Sequence, residues 1–146
     1  MLRLSKLTDY STVIMSYMAR QPDDIYSVAE VAGVVGVAPP TASKILKTLA
    51  RRNLVHSRRG MNGGYMLARA PGHISIAEVI EAMEGPFGLT ECNVTAGLCV
   101  QEDQCRIRAH WQRIDRLIHH TLAQVTLSDM NRSHSLPGEG SVMNME

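Results

Sequence analysis

The sequence predicts a mainly α-helical chain with a small β-wing and a long C-terminal helix, and three observations carry that expectation. Three segments with apolar residues at helical spacing follow one another before residue 54. Two short strand-like runs then flank a connector holding Gly60, Gly63 and Gly64. Residues 106 to 127 finally carry a helical apolar stripe. Helix, helix-turn-helix and two-stranded wing is the order of a winged helix-turn-helix. The expected organisation is therefore a winged helix-turn-helix over 1–85, a cysteine-bearing loop over 86–105, a dimerisation helix over 106–130 and a disordered tail over 131–146.

Each element has a local cause. Leu7, Tyr10, Val13, Ile14, Tyr17 and Met18 recur at three- and four-residue steps, so 7–20 reads as an amphipathic helix. Ser27 and Glu30 have the spacing of a capping box that opens a second helix, which Gly36 breaks. Pro39 and Pro40 suit the first turn of a third helix, running to about Asn53 and burying Ile45, Leu46 and Leu49. Leu54 to Ser57 and Tyr65 to Arg69 read as the wing strands. Ser75 and Glu78 form another capping-box pair, opening a helix that Gly85, Pro86 and Gly88 end. The tail is rich in Ser, Gly, Asn and Met without periodicity, the composition of a disordered segment.

At 146 residues the chain suits one core, and 45% hydrophobic with 20% charged residues is a globular balance. An aromatic content of 4% argues against a stacking platform for single-stranded nucleic acid, which needs several exposed rings. The formal net charge is only +1, but its distribution is uneven. Between Glu30 and Glu78 there is no acidic residue, whereas Lys44, Lys47, Arg51, Arg52, Arg58, Arg59 and Arg69 fall inside. Such a basic segment is the footprint of a polyanion-binding face. The N-terminus lacks the features of a signal peptide and no run spans a bilayer, so the sequence reads as cytoplasmic with no membrane partner.

These charges coincide with the winged motif. Thr41, Ser43, Lys44, Lys47 and Arg51 lie on the third helix, and the first four lie opposite its apolar residues, suited to base edges and phosphates of double-stranded DNA. Arg58, Arg59, Gly60, Asn62 and Gly63 form a basic, flexible wing tip that suits a narrow minor groove. The plain alternative is an ordinary hairpin with solvated arginines. Agreement of charge, helix order and wing favours DNA binding.

Residues 1 to about 127 resemble the IscR/NsrR-type winged-helix iron–sulfur regulators, particularly those of the SUF iron–sulfur assembly system. The resemblance rests on Leu4-Ser5-Lys6-Leu7-Thr8-Asp9-Tyr10 and on the wing Arg59-Gly60-Met61-Asn62-Gly63-Gly64-Tyr65. Ile76-Ala77-Glu78-Val79-Ile80 and the three-cysteine loop support it. It implies that Arg59 enters the minor groove, that the third helix reads the major groove, and that the targets are genes of iron–sulfur cluster assembly. Operator sequence does not transfer, because recognition-helix side chains differ between members.

Cys92, Cys99 and Cys105 are separated by six and five residues, with no Cys-x-x-Cys pair of the kind common in structural zinc sites. Thiolates suit iron–sulfur clusters, zinc or copper(I), so the donor chemistry alone leaves the metal open. The resemblance implies an iron–sulfur cluster, [2Fe–2S] or [4Fe–4S]. IscR-type members take a histidine three residues after the last cysteine, where this chain has Arg108; His110 lies five residues after it. Asp9 matches the aspartate by which NsrR-type members complete a cluster from the partner subunit, and it is preferred to His110 as the further ligand. Asp9 also reads as a helix-start carboxylate. Redox-active thiols and zinc remain the alternatives to a cluster.

Trp111, Ile114, Ile118, Thr121, Leu122 and Val125 form a stripe too apolar for one small domain to bury, so a two-fold homodimer is expected. Two recognition helices about 34 Å apart then imply a pseudo-palindromic operator. Competing functions are a cluster-free thiol- or ligand-sensing repressor and a winged-helix protein-interaction module. No P-loop, dinucleotide fingerprint, HExxH or nucleophile elbow is present, and the chain reads as no enzyme.

Overall fold

Ser5 opens the first helix, α1 (Lys6–Met18), by accepting a hydrogen bond from the Thr8 amide. The computed structural model describes residues 3–132, and the expected disordered tail lies, from residue 133 on, outside them. Thr8, Ser11, Ile14, Met15 and Met18 turn one face of α1 inward. Val13, expected on that face, is 44% exposed.

Helix α2 (Val28–Val35) starts on Ser27 and stops at Gly36, whose φ of 75° is left-handed. The expected capping box is only half formed. Ser27 accepts from the Glu30 amide, but the Glu30 carboxylate takes the Tyr17 hydroxyl at 2.9 Å instead of its own helix start. A tertiary partner has replaced a local one. Helix α3 (Pro39–Arg51) begins on its two prolines and buries Ala42, Ile45, Leu46 and Leu49 against the other helices.

Strands β1 (Val55–Arg58) and β2 (Gly64–Leu67) pair antiparallel, with Val55 opposite Leu67 and Arg58 opposite Gly64. Tyr26 adds a further rung outside β2: its amide donates to Tyr65 O at 2.8 Å and its carbonyl accepts from Tyr65 N at 2.9 Å. The wing is thereby sewn to the turn before α2.

Helix α4 (Ile76–Glu84) carries the full capping box of Ser75 and Glu78. Burial alone would raise the Glu78 pKa, but the Ser75 amide and Arg69, at 2.7 Å, bring it below the ordinary value. At its far end Glu84 accepts from Ser5 N at 2.9 Å and from the Thr8 hydroxyl, tying α4 to the start of α1. The Thr8 bond first, then the Ser5 bonds, lower the Glu84 pKa. This contribution is present above the unfolded pKa and is lost as pH falls through the lower folded one. Acid titration of the urea midpoint should therefore show a steeper loss for the wild type than for Glu84→Gln; superimposable curves would refute the tie.

The cysteine loop follows, with the short α5 (Glu91–Val94) and a 3₁₀ turn at Glu102–Gln104. The long helix is α6 (Arg108–Gln124), after which the chain breaks and forms α7 (Leu127–Asn131). One continuous helix to about residue 127 was expected. Instead Val125 and Thr126 extend: Val125 O accepts from Ile76 N at 2.8 Å and Leu127 N donates to Ile74 O at 3.0 Å. Thr126 and Asp129 cap α7 with a reciprocal box, and Leu127 is fully buried. Burial of that leucine and two backbone bonds outweigh continuation of α6. Among the described residues, no helix is long and apolar enough to cross a membrane.

Candidate functional site

Helix α3 points Lys44, Lys47 and Arg51 to solvent at i, i+3 and i+7, hence along one face. Thr41 and Ser43 are half-buried, and the fully buried Ala42, Ile45, Leu46 and Leu49 hold the opposite side. The neighbouring Thr48 spends its hydroxyl on Lys44 O at 2.9 Å, leaving the longer amines to face outward.

In the wing, Arg58 Nε lies 3.5 Å from Met66 Sδ across the strand pair, while Arg59 and Asn62 are exposed. Gly63 N closes the tip on Gly60 O at 3.0 Å. A Cβ on Gly63 would collide with Arg58 O, and Gly60 has a φ of 115°. The glycines are thus required by close approach and by handedness. Met61, at the tip and named within the wing motif without a role of its own, is fully solvent-exposed.

The three cysteines are free and half-buried. Cys92 sits in α5 with Sγ 3.2 Å from Thr90 Oγ1, and Cys105 follows the 3₁₀ turn. Among the described residues, no three His, Cys, Asp or Glu side chains converge as a metal site within one chain. Asp9 is exposed on α1, in a groove lined by Thr12, Val13, Ser16, Tyr17, Arg20, Val34 and Met130, none of which belongs to the cysteine loop. His110 is exposed at the start of α6.

The loop is firmly rooted. Asp115 Oδ1 accepts from Leu89 N at 3.0 Å, and the His119 ring stacks on Phe87 with centroids 4.1 Å apart. His119 Nε2 also lies 2.9 Å from Phe87 O and 3.6 Å from Asp115 Oδ2, with Glu81 of α4 3.8 Å from Nδ1. Farther along, Glu102 joins Arg108 Nη2 at 2.6 Å and accepts from Gly97 N. Sequence reasoning missed Glu102 and Asp115 and gave His119 only a surface or packing role, because their partners are set by the loop's path and not by spacing.

Two atoms bear on what the loop could hold. Asn93 Nδ2 and Arg108 Nε are buried with no hydrogen-bond partner. Three soft thiols and two unused N–H donors within the stretch from Cys92 to Arg108 form a donor set whose chemistry fits an anionic, sulfur-rich inorganic group such as an iron–sulfur cluster.

The expected dimer residues divide. Trp111 and Ile114 are 37% and 41% exposed, Leu117 beside them 58%, and Thr121 is exposed. Ile118 is half-buried, while Leu122 and Val125 pack on their own chain's core. The apolar surface left open on α6 is therefore its N-terminal half, next to the cysteines.

Known proteins share this arrangement. The NsrR transcriptional regulator of Halalkalibacterium halodurans is 31% identical over 131 residues, covering 88% of this chain and 90% of its own. The structure of CymR, the global cysteine regulator of B. subtilis, is similar at a TM-score of 0.71 and 26% identity, over 90% of this chain and 97% of CymR. IscR of T. potens is similar at 0.65 and 26%, over 88% and 85%. The family model described as Rrf2, iron-dependent transcriptional regulator, matches residues 4–133. With a winged helix bearing a basic face, joined through a clamped cysteine loop to a long helix, the chain belongs to the Rrf2 family of transcriptional regulators.

Proposed function

We propose that this regulator binds a pseudo-palindromic DNA operator as a homodimer and that its cysteine loop carries an iron–sulfur cluster whose state sets its affinity. One observation carries the reading: three half-buried thiols and two unpaired buried donors fall between Cys92 and Arg108, in a stretch that is pinned to α4 and α6 and ends at the first residue of α6. Cys92, Cys99 and Cys105 would hold the cluster, which supplies a centre that oxygen, iron supply or redox state can alter. Asp9, in the first turn of α1 and in a groove that no residue of the cysteine loop lines, would serve as a further ligand only from the partner subunit. The NsrR and IscR likenesses support the same choice.

The chain's own residues supply the coupling. Helix α4 packs on α1, α3 and α6, so a loop anchored through Glu81, Phe87, Asp115 and His119 lies one element away from the recognition helix. A change in loop order worth ~1–3 kcal/mol would alter operator affinity about 5- to 150-fold. That is enough for a switch controlling genes of cluster assembly.

The test is anaerobic purification followed by iron, sulfide and visible-spectrum analysis of the wild type and of Cys→Ser variants at 92, 99 and 105. Coloured wild type and colourless variants support the reading. A colourless wild type whose promoter control still needs the cysteines would favour cluster-free thiol sensing. Arg59→Ala should weaken operator binding by about 1–3 kcal/mol and flatten the logarithmic salt slope by about 1. Unchanged affinity would remove the wing from the interface.

A further inference from the structure

We infer that Asn93 Nδ2 and Arg108 Nε are preformed donors to the inorganic group bound by Cys92, Cys99 and Cys105, and that they tune its redox behaviour. This inference rests on the cluster reading and adds the charge and hydrogen-bonding character of its surroundings. Among the described residues, these are the buried side-chain nitrogen or oxygen atoms without a partner. Both are N–H donors, and both lie in the cysteine segment: Asn93 follows Cys92, and Arg108 stands three residues after Cys105. A buried donor left without an acceptor is costly, so Asn93 in α5 and Arg108 at the start of α6 call for an acceptor that the polypeptide does not provide.

Neither side chain is loosely placed. Arg108 Nη2 is held at 2.6 Å by Glu102, whose side chain is only 10% exposed. Glu102 in turn accepts from Gly97 N, and its own amide donates to Cys99 O at 3.2 Å. The Arg108 amide donates to Cys105 O at 3.4 Å. One ion pair therefore ties together the stretches on either side of Cys99 while leaving Nε over. Asn93 N donates to Thr90 O at 3.0 Å, and Asn93 packs against Gly88 so closely that a Cβ there would come within 2.9 Å of the asparagine Cβ.

Nearby acceptors are already engaged. Phe87 O meets His119, and the two Asp115 oxygens face Leu89 N and His119. The acceptors we assign to these donors are the sulfurs of Cys92, Cys99 and Cys105 and the inorganic sulfides they would hold. N–H donors aimed at such sulfurs stabilise the reduced, more negative state and so raise the reduction potential. Arg108 adds a fixed positive charge. The chain has thus placed a donor where IscR-type relatives are expected to place a ligand.

Asn93→Leu and Arg108→Lys test this. The first keeps shape and removes the donor; the second keeps the charge that pairs with Glu102 but not Nε. Both variants and the wild type are reconstituted anaerobically with iron and sulfide, then compared by redox titration and by the rate of bleaching in air. Expected are a lower potential for each variant and cluster retention weakened about 10- to 100-fold. Without metal, Asn93→Leu should melt at or above the wild-type temperature, because an unpaired buried donor has gone. Loaded variants with wild-type potential and bleaching rate would overturn the donor role and leave the cluster reading intact. A wild type that takes up neither iron nor sulfide would overturn both.

Discussion

Leu127→Ala is expected to cost about 2–5 kcal/mol in urea unfolding, the range for truncating a fully buried leucine. Leu127 is 0% exposed and belongs to the same core as Ile14, Ile74 and Val79. Its burial follows from the chain's turn at Val125–Thr126, where two backbone bonds to Ile74 and Ile76 bring the end of α6 back to the winged domain. Loss of the leucine should therefore also loosen the far end of α6, seen as faster hydrogen exchange at the amides of Leu127 and Ile76. Met130→Ala is the control: at 48% exposure it should change stability by no more than about 0.5 kcal/mol. A Leu127→Ala cost no greater than that control would mean that α6 is not fastened there. The consequence for function is mechanical. A helix anchored at one end to the winged-helix body and at the other to the cysteine loop joins the two mechanically.

Gly64→Ala is expected to destabilise the wing by about 1–3 kcal/mol and to weaken DNA binding beyond that of a merely less stable protein. A Cβ at this position would run into the Tyr26 carbonyl oxygen and crowd Ile25 at 3.2 Å. Relief requires opening the Tyr26–Tyr65 pair, whose two hydrogen bonds measure 2.8 and 2.9 Å. Because Gly64 lies opposite Arg58 in the strand register, the same shift moves the basic tip. Gly33→Ala offers the contrast. It stands in α2 with open space around its would-be Cβ, and should stabilise the fold by about 0.4–1 kcal/mol. Equal effects of the two substitutions would refute the steric account. Binding measured well below each variant's melting temperature separates wing geometry from global unfolding.

The amino-acid sequence by itself determined the parts whose causes are local. Ser27 and Ser75 start helices, Gly36 ends one, the prolines open α3, and the basic residues fall on the exposed side of a helix and at a wing tip. The break after α6 also had a local signal, the Thr126–Asp129 box, but the apolar stripe running past it was read as one helix. Only the tertiary structure decided which distant groups meet. Glu30 pairs with Tyr17, Tyr26 borders the wing, and Leu89 finds Asp115 26 residues away. It likewise divided the dimer stripe, covering Leu122 and Val125 with the chain's own core while leaving Trp111 and Ile114 open. The physical reason is the range of the forces involved. Caps and periodicity act within a turn or two, whereas burial and buried hydrogen bonds depend on how the whole chain closes on itself.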